Sequence, residues 1–125
     1  MKLFRFDQSV GRSIDKFGSK NLVITPILRI LERHIDVVQI SSMNMNPGGL
    51  IGGHEAHGPQ LFIVVAGEGF ITGRENLRIP IQSGQMAFWE TGEWHEVMTI
   101  KGMSAIVIES DQLSPEELLL EEIIE

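Results

Sequence analysis

Between residues 36 and 109 the chain is a series of short apolar or alternating runs separated by closely spaced turn signals. Strand formers dominate Asp36 to Met45, Leu61 to Ala66, Gly69 to Thr72, Leu77 to Ile81, Gln85 to Trp89, His95 to Thr99 and Met103 to Glu109. Turn signals at Asn46-Pro47-Gly48-Gly49, Gly52-Gly53, Gly58-Pro59, Gly67-Glu68-Gly69, Gly73, Ser83-Gly84 and Gly92 punctuate them. Many short strands at close, even spacing predict an all-β sandwich or barrel rather than βαβ units. Upstream, Asn21 to Ile30 predicts another strand, with Pro26 at an edge or a bulge, and Ser13 to Gly18 a short turn. Leu61-Phe62-Ile63-Val64-Val65-Ala66 is apolar at every position, so both faces of its strand should be covered.

The pattern changes near the end. Ser114-Pro115-Glu116-Glu117 combines an N-cap Ser, Pro at the first helical position and Glu at the capping-box position. Leu119, Leu120, Ile123 and Ile124 then fall on one helical stripe, which predicts a short acidic C-terminal α-helix within 111–125. A helix of about 11 residues is marginal alone, so it should dock on the body or on a partner.

Composition narrows the function classes. At 125 residues the chain suits one domain, a β-barrel over 1–110 followed by the tail. No apolar run approaches the roughly 20 residues needed to span a bilayer, and Met1 to Asp7 lacks the apolar core of a secretion signal. A cytoplasmic location is the expectation. The formal charge of −7 lies from Glu109 onward, where Glu109, Asp111, Glu116, Glu117, Glu121, Glu122 and Glu125 have no Lys or Arg among them. Removing those seven from 17 acids leaves ten, against ten bases, so the body is neutral. Neither nucleic acid nor an anionic membrane is an expected partner. With no cysteine, any metal must be held by imidazole, carboxylate, amide or water.

Three of the four histidines cluster in sequence. His54 and His57 sit in the Gly-rich segment Gly48 to Gln60, and His95 follows Gly92-Glu93-Trp94. His34 lies in a charged stretch and reads as a surface residue. Neutral imidazoles from separate strands can converge on one ion inside a barrel. Glu55, Glu90 and Glu93 lie in turns and read as solvated loop acids.

The spacing resembles the cupin family. Its first motif corresponds to Gly48, five residues, His54, then Gln60 in the Glu position, six residues and Gly67. Its second corresponds to Gly84, five residues, Glu90-Thr91-Gly92, two residues, His95, three residues and then Thr99 in the position of the family's Asn. These motifs, at 48–67 and 84–99, imply a double-stranded β-helix, the jelly-roll barrel of the family, and often a homodimer. They also imply a divalent transition metal (zinc, iron, nickel or copper) at His54, His57, Gln60 and His95. A small organic ligand or substrate would lie in the barrel against Met45, Phe62, Met86 and Phe88. Metal-dependent oxygenation or isomerisation is the enzymatic form of that expectation, with binding weakening below pH about 6.5 as imidazoles protonate.

The departures keep an alternative open. Ala56 stands where the family's second histidine falls, and His57 comes one residue late, so only a bulge near Gly58-Pro59 would turn it inward. Gln60 offers an uncharged amide and no general base. A metal-free, non-enzymatic small-molecule-binding or sensor module is therefore the rival expectation.

Overall fold

The computed structural model describes residues 1–25, 27–28 and 34–123. Its strands are β1 (Lys2–Arg5), β2 (Arg12–Ile14), β3 (Leu22–Ile24), β4 (Val38–Met45), β5 (Leu50–Glu55), β6 (Gln60–Thr72), β7 (Arg78–Gln82), β8 (Gln85–Trp89), β9 (Trp94–Met98), β10 (Met103–Ser110) and β11 (Glu121–Ile123). One face runs β11-β1-β8-β6-β10-β4, and β9 joins β5 to the far half of β6, beside β7. All the pairings are antiparallel, as the turn spacing requires. Among the described residues no helix is long and apolar enough to cross a membrane.

Strand β6 holds the two faces together. Its first half pairs with β8 and β10, and its second half, from Glu68, pairs with β7 and β9. The sequence pattern had split it at Gly67, which in the structure is the corner rather than a break. Gly67 has a φ of +80°, and a Cβ there would lie 2.3 Å from the Gly102 carbonyl oxygen. Only glycine fits that approach.

Alternation sorts the apolar residues into two cores. Phe62, Val64, Ala87, Trp89, Val97, Met103, Ala105 and Val107 fill the barrel. Leu61, Ile63, Met86 and Phe88 point the other way, against Phe4, Leu113 and Leu118. The expectation that Leu61 to Ala66 would be covered on both faces holds only as far as Val64. The N-terminal strand and the tail form the second layer there, while Val65 and Ala66, approaching the corner at Gly67, are exposed.

The tail is not a helix. Its capping signals produce a single 3₁₀ turn at Pro115–Glu117, after which the backbone becomes extended at Leu118. Residues Glu121–Ile123 then pair with β1, while Leu118 bridges to Leu28. An isolated helix of this length gains little, whereas β1 offers an open ladder and the second core accepts Leu118 and Leu120. Of the strand expected over 21–30, only Leu22–Ile24 form β3 and Leu28 the isolated bridge, while Thr25 and Ile27 lie in no strand. Pro26, Arg29 and Ile30, like Ile124, lie outside the described residues. The turn expected over 13–18 holds in part: Ser13 and Ile14 belong to β2, and a 3₁₀ turn spans Lys16–Gly18.

Candidate functional site

Within the Gly-rich segment Gly48 to Gln60, residues Leu50–Glu55 form β5, and its local irregularity builds the site. Ile51 lies opposite Val97, but His54 lies opposite His95, so one extra residue is accommodated at Gly52-Gly53. That bulge puts Ile51 and His54, three residues apart, on the same side. Gly53 is required there, since a Cβ would fall 2.2 Å from the Trp94 ring. The two imidazoles face each other with ring centroids 4.5 Å apart. His54 is exposed at the mouth, and His95 is buried beneath it.

Each ring is held by a backbone carbonyl. His54 Nδ1 lies 2.8 Å from the Gly52 oxygen, and His95 Nδ1 lies 3.2 Å from the Glu93 oxygen. A carbonyl can only accept, so Nδ1 carries the proton and Nε2 of each neutral ring keeps its lone pair. This is the tautomer that suits a metal ligand. Burial holds the His95 imidazole below its ordinary value, against the pull of the Glu93 carbonyl; the His54 ring adds to the lowering, and the carboxylates of Glu93 and Glu109 oppose it.

Trp89, fully buried, stacks on His95 at 4.4 Å and meets Phe62 edge-on at 5.9 Å. On the strand beside it, Gln60 lies opposite Trp89 on one side and Glu109 on the other. The Gln60 Nε2 donates to Glu109 Oε1 at 2.8 Å, while Gln60 Oε1 and Trp89 Nε1 are buried without a hydrogen-bond partner among the described residues.

Of the four expected ligands, His54 and His95 are brought together. Gln60 lies opposite Trp89, the ring stacked on His95. His57 is not part of this group: it is exposed in a bend, while Ala56, in the family's register, is buried in the barrel. The bulge lies upstream of His54 rather than near Gly58-Pro59, so it aligns His54 and leaves His57 outward. Met86 and Phe88, expected as pocket lining, alternate with Ala87 and Trp89 and belong to the second core. Phe62 and the half-buried Met45 do pack in the barrel. The interior beside His95 is thus occupied by Trp89 and Phe62, and approach is from the His54 side. A separate cleft of about 410 Å³, lined by Phe70, Pro80, Gln85 and Lys101 among others, contains none of the histidines.

Glu93 corrects another expectation. It is 1% exposed, not a solvated loop acid. Burial works against its charge, but the Met1 ammonium at 2.7 Å and the amides of Arg74 and Glu90 hold its carboxyl below the usual range. Its backbone carbonyl accepts from the Ala56 amide as well as from His95, which ties the two motifs together. Thr99, in the position of the family's Asn, donates to the Glu68 carbonyl and accepts from the Gly102 amide, so it fastens the turn into β10.

Glu109 is the residue that sequence reasoning passed over. Met103, Ala105 and Val107 face the barrel at alternate positions of β10, and the next position on that face is Glu109. An acid continuing an interior stripe was the available signal.

The donors fit a transition metal in part. Two Nε2 atoms and an unpartnered amide oxygen suit zinc, copper, nickel or ferrous iron better than magnesium or calcium. Among the described residues, however, no group of three His, Cys, Asp or Glu side chains could hold an ion.

Residues 41–109 match the family described as Cupin domain. A cupin superfamily protein from Desulfitobacterium hafniense has a similar structure, with a TM-score of 0.55 at 21% identity over 74% of this chain and 80% of that one. A DMSP lyase from Ruegeria pomeroyi gives 0.57 at 17% identity over 71% of this chain, which spans 43% of the lyase. A predicted oxalate decarboxylase from Thermotoga maritima gives 0.51 at 22% identity over 55% of this chain and 62% of that one. No curated protein matches.

Proposed function

Since the chain belongs to the cupin family, we propose that it binds a divalent transition metal through His54 and His95, with Gln60 Oε1 as a third donor, and holds a small organic molecule at the His54 mouth. The apposed rings, each fixed through Nδ1 so that Nε2 is free, carry this reading. Such a metal, when bound, supplies a Lewis acid that polarises a carbonyl or activates water. The chain's own part is positional. Glu93 and Gly52 carbonyls orient the rings, Trp89 supports His95 from below, and the buried barrel beneath excludes water. The names of the neighbours are compatible with an enzyme, for which oxygenation or isomerisation of a carbonyl-bearing molecule is the proposed chemistry.

Titration of untagged protein with zinc or cobalt is expected to give one equivalent. His95→Ala should weaken it by more than the 10–100-fold typical of losing an outer-shell partner. Affinity should fall on acidification, and because burial holds the His95 imidazole below its ordinary value, protons should displace the ion from it only at a pH below that ordinary value. A wild type that retains no stoichiometric ion after reconstitution would leave the metal-free binding module as the better reading.

A homodimer paired through β4 is the proposed assembly. Among the described residues β4 pairs only with β10, and it exposes Val38 and Ile40. Sedimentation should give twice the chain mass, with Ile40→Lys shifting it to one; a wild-type monomer removes the proposal.

A further inference from the structure

Gln60 is 7% exposed, and its two polar atoms have opposite fates. Nε2 is satisfied by Glu109 Oε1, and Oε1 is buried with no donor among the described residues. An ionised carboxylate only accepts hydrogen bonds, so Glu109 can meet Nε2 and never Oε1. The orientation of the Gln60 amide is therefore set by Glu109, directly across the β6–β10 ladder. An unpartnered buried carbonyl oxygen is costly unless a donor or a cation reaches it.

A divalent ion held by two neutral imidazoles and an amide would keep its whole charge in a half-buried site, which is unfavourable without a nearby anion. The family's Glu position carries no charge here. The neighbouring strand supplies one at the next interior position, in hydrogen-bond contact with the residue that replaced it.

We propose that Glu109 is a positioning residue: it turns Gln60 Oε1 towards a bound cation and supplies the negative charge that Gln60 lacks. The proposal rests on the metal-binding reading. It divides the work of one carboxylate between two residues, the amide as donor and the acid behind it as counter-charge. The carboxylate acts through Gln60 rather than by touching the ion.

Three variants of the full chain separate these roles. Glu109→Gln keeps an acceptor and removes the charge. Glu109→Leu removes both. The exchange Gln60→Glu with Glu109→Gln moves the acid to the family's position and leaves the pair's composition unchanged. With cobalt(II) as probe, read by its visible absorption, Glu109→Gln should weaken binding by about 10–100-fold, as loss of an outer-shell partner does. The exchanged pair should recover most of that loss. Wild-type affinity in Glu109→Gln, or no recovery in the exchanged pair, overturns the charge role. The Gln60 side-chain amide resonances provide a readout without metal, and Glu109→Leu should shift them and speed their exchange with solvent. Unchanged resonances overturn the positioning role whatever the ion does. A wild type that takes up no cobalt while its Glu109→Leu variant shifts those resonances overturns the metal-binding reading and the charge role, and leaves the positioning of Gln60 standing.

Discussion

Trp89→Ala is expected to lower the free energy of unfolding by about 3–5 kcal/mol, the range for truncating a large buried aromatic. Trp89 is fully buried where the two motifs meet. It stacks on His95 from the second motif and packs edge-on against Phe62, two residues beyond Gln60 of the first. Truncation would leave a cavity under His95 that neither the β6–β8 ladder nor the ring above can close. The loss is packing alone, because Trp89 Nε1 has no partner among the described residues. Trp89→Phe, which deletes the orphaned N–H and keeps an aromatic face, should therefore cost much less, within about 1.5 kcal/mol. Guanidinium unfolding of the three proteins measures this. Equal losses for Ala and Phe would mean that the indole N–H is satisfied after all, and a loss under about 1 kcal/mol for Ala would mean that the cavity closes.

The same residue shows where sequence reasoning succeeded and where it stopped. Gln85–Trp89 was legible to the residue, because a turn brackets it at each end. Which of its side chains line the barrel was not, until one was placed. Trp89 faces His95, so Ala87 shares its side and Met86 and Phe88 take the other. The histidines depended on register in the same way. A one-residue slip exchanges the two faces of a strand, and the bulge at Gly52-Gly53 is such a slip. The motif spacing identified His54 and His95 as partners, but only the ladder shows that the bulge serves His54 and turns His57 outward. Glu109 was within reach, since it continues the interior stripe of Met103, Ala105 and Val107. It was counted instead with the acidic tail, where its charge looked ordinary. Glu93 was hidden for another reason: the groups that satisfy it, the Met1 ammonium and the Arg74 amide, are remote in sequence.

The tail offers the sharpest test of strand against helix, and its effect should also be large. On a helix, Leu119 belongs to the apolar stripe with Leu120 and Ile123, and Leu118 lies off it. In the structure the order is reversed: Leu118 is 9% exposed against Phe4, Leu61 and Leu113, whereas Leu119 is 49% exposed. Leu118→Ala should then cost about 2–5 kcal/mol, as deletion of a buried leucine does. Leu119→Ala should stay within about 0.5 kcal/mol, as an exposed substitution does. Ending the chain at Ser110 should exceed both. It removes Leu113 and Leu118, worth about 1.5–3 kcal/mol each in burial, together with the β1–β11 ladder and the Asp111 carboxylate that accepts the Asp36 and Val37 amides. Denaturant midpoints of the three proteins decide between the two arrangements. If Leu119→Ala proved the costlier substitution, the helix would be restored and the second core would lose its cover. The predicted order instead makes the tail part of the layer that shields the outer face of β6. Through β6 it also supports the strand that carries Gln60, so its contribution to the site is mechanical: it holds in register the row Glu109, Gln60 and Trp89 on which His95 rests.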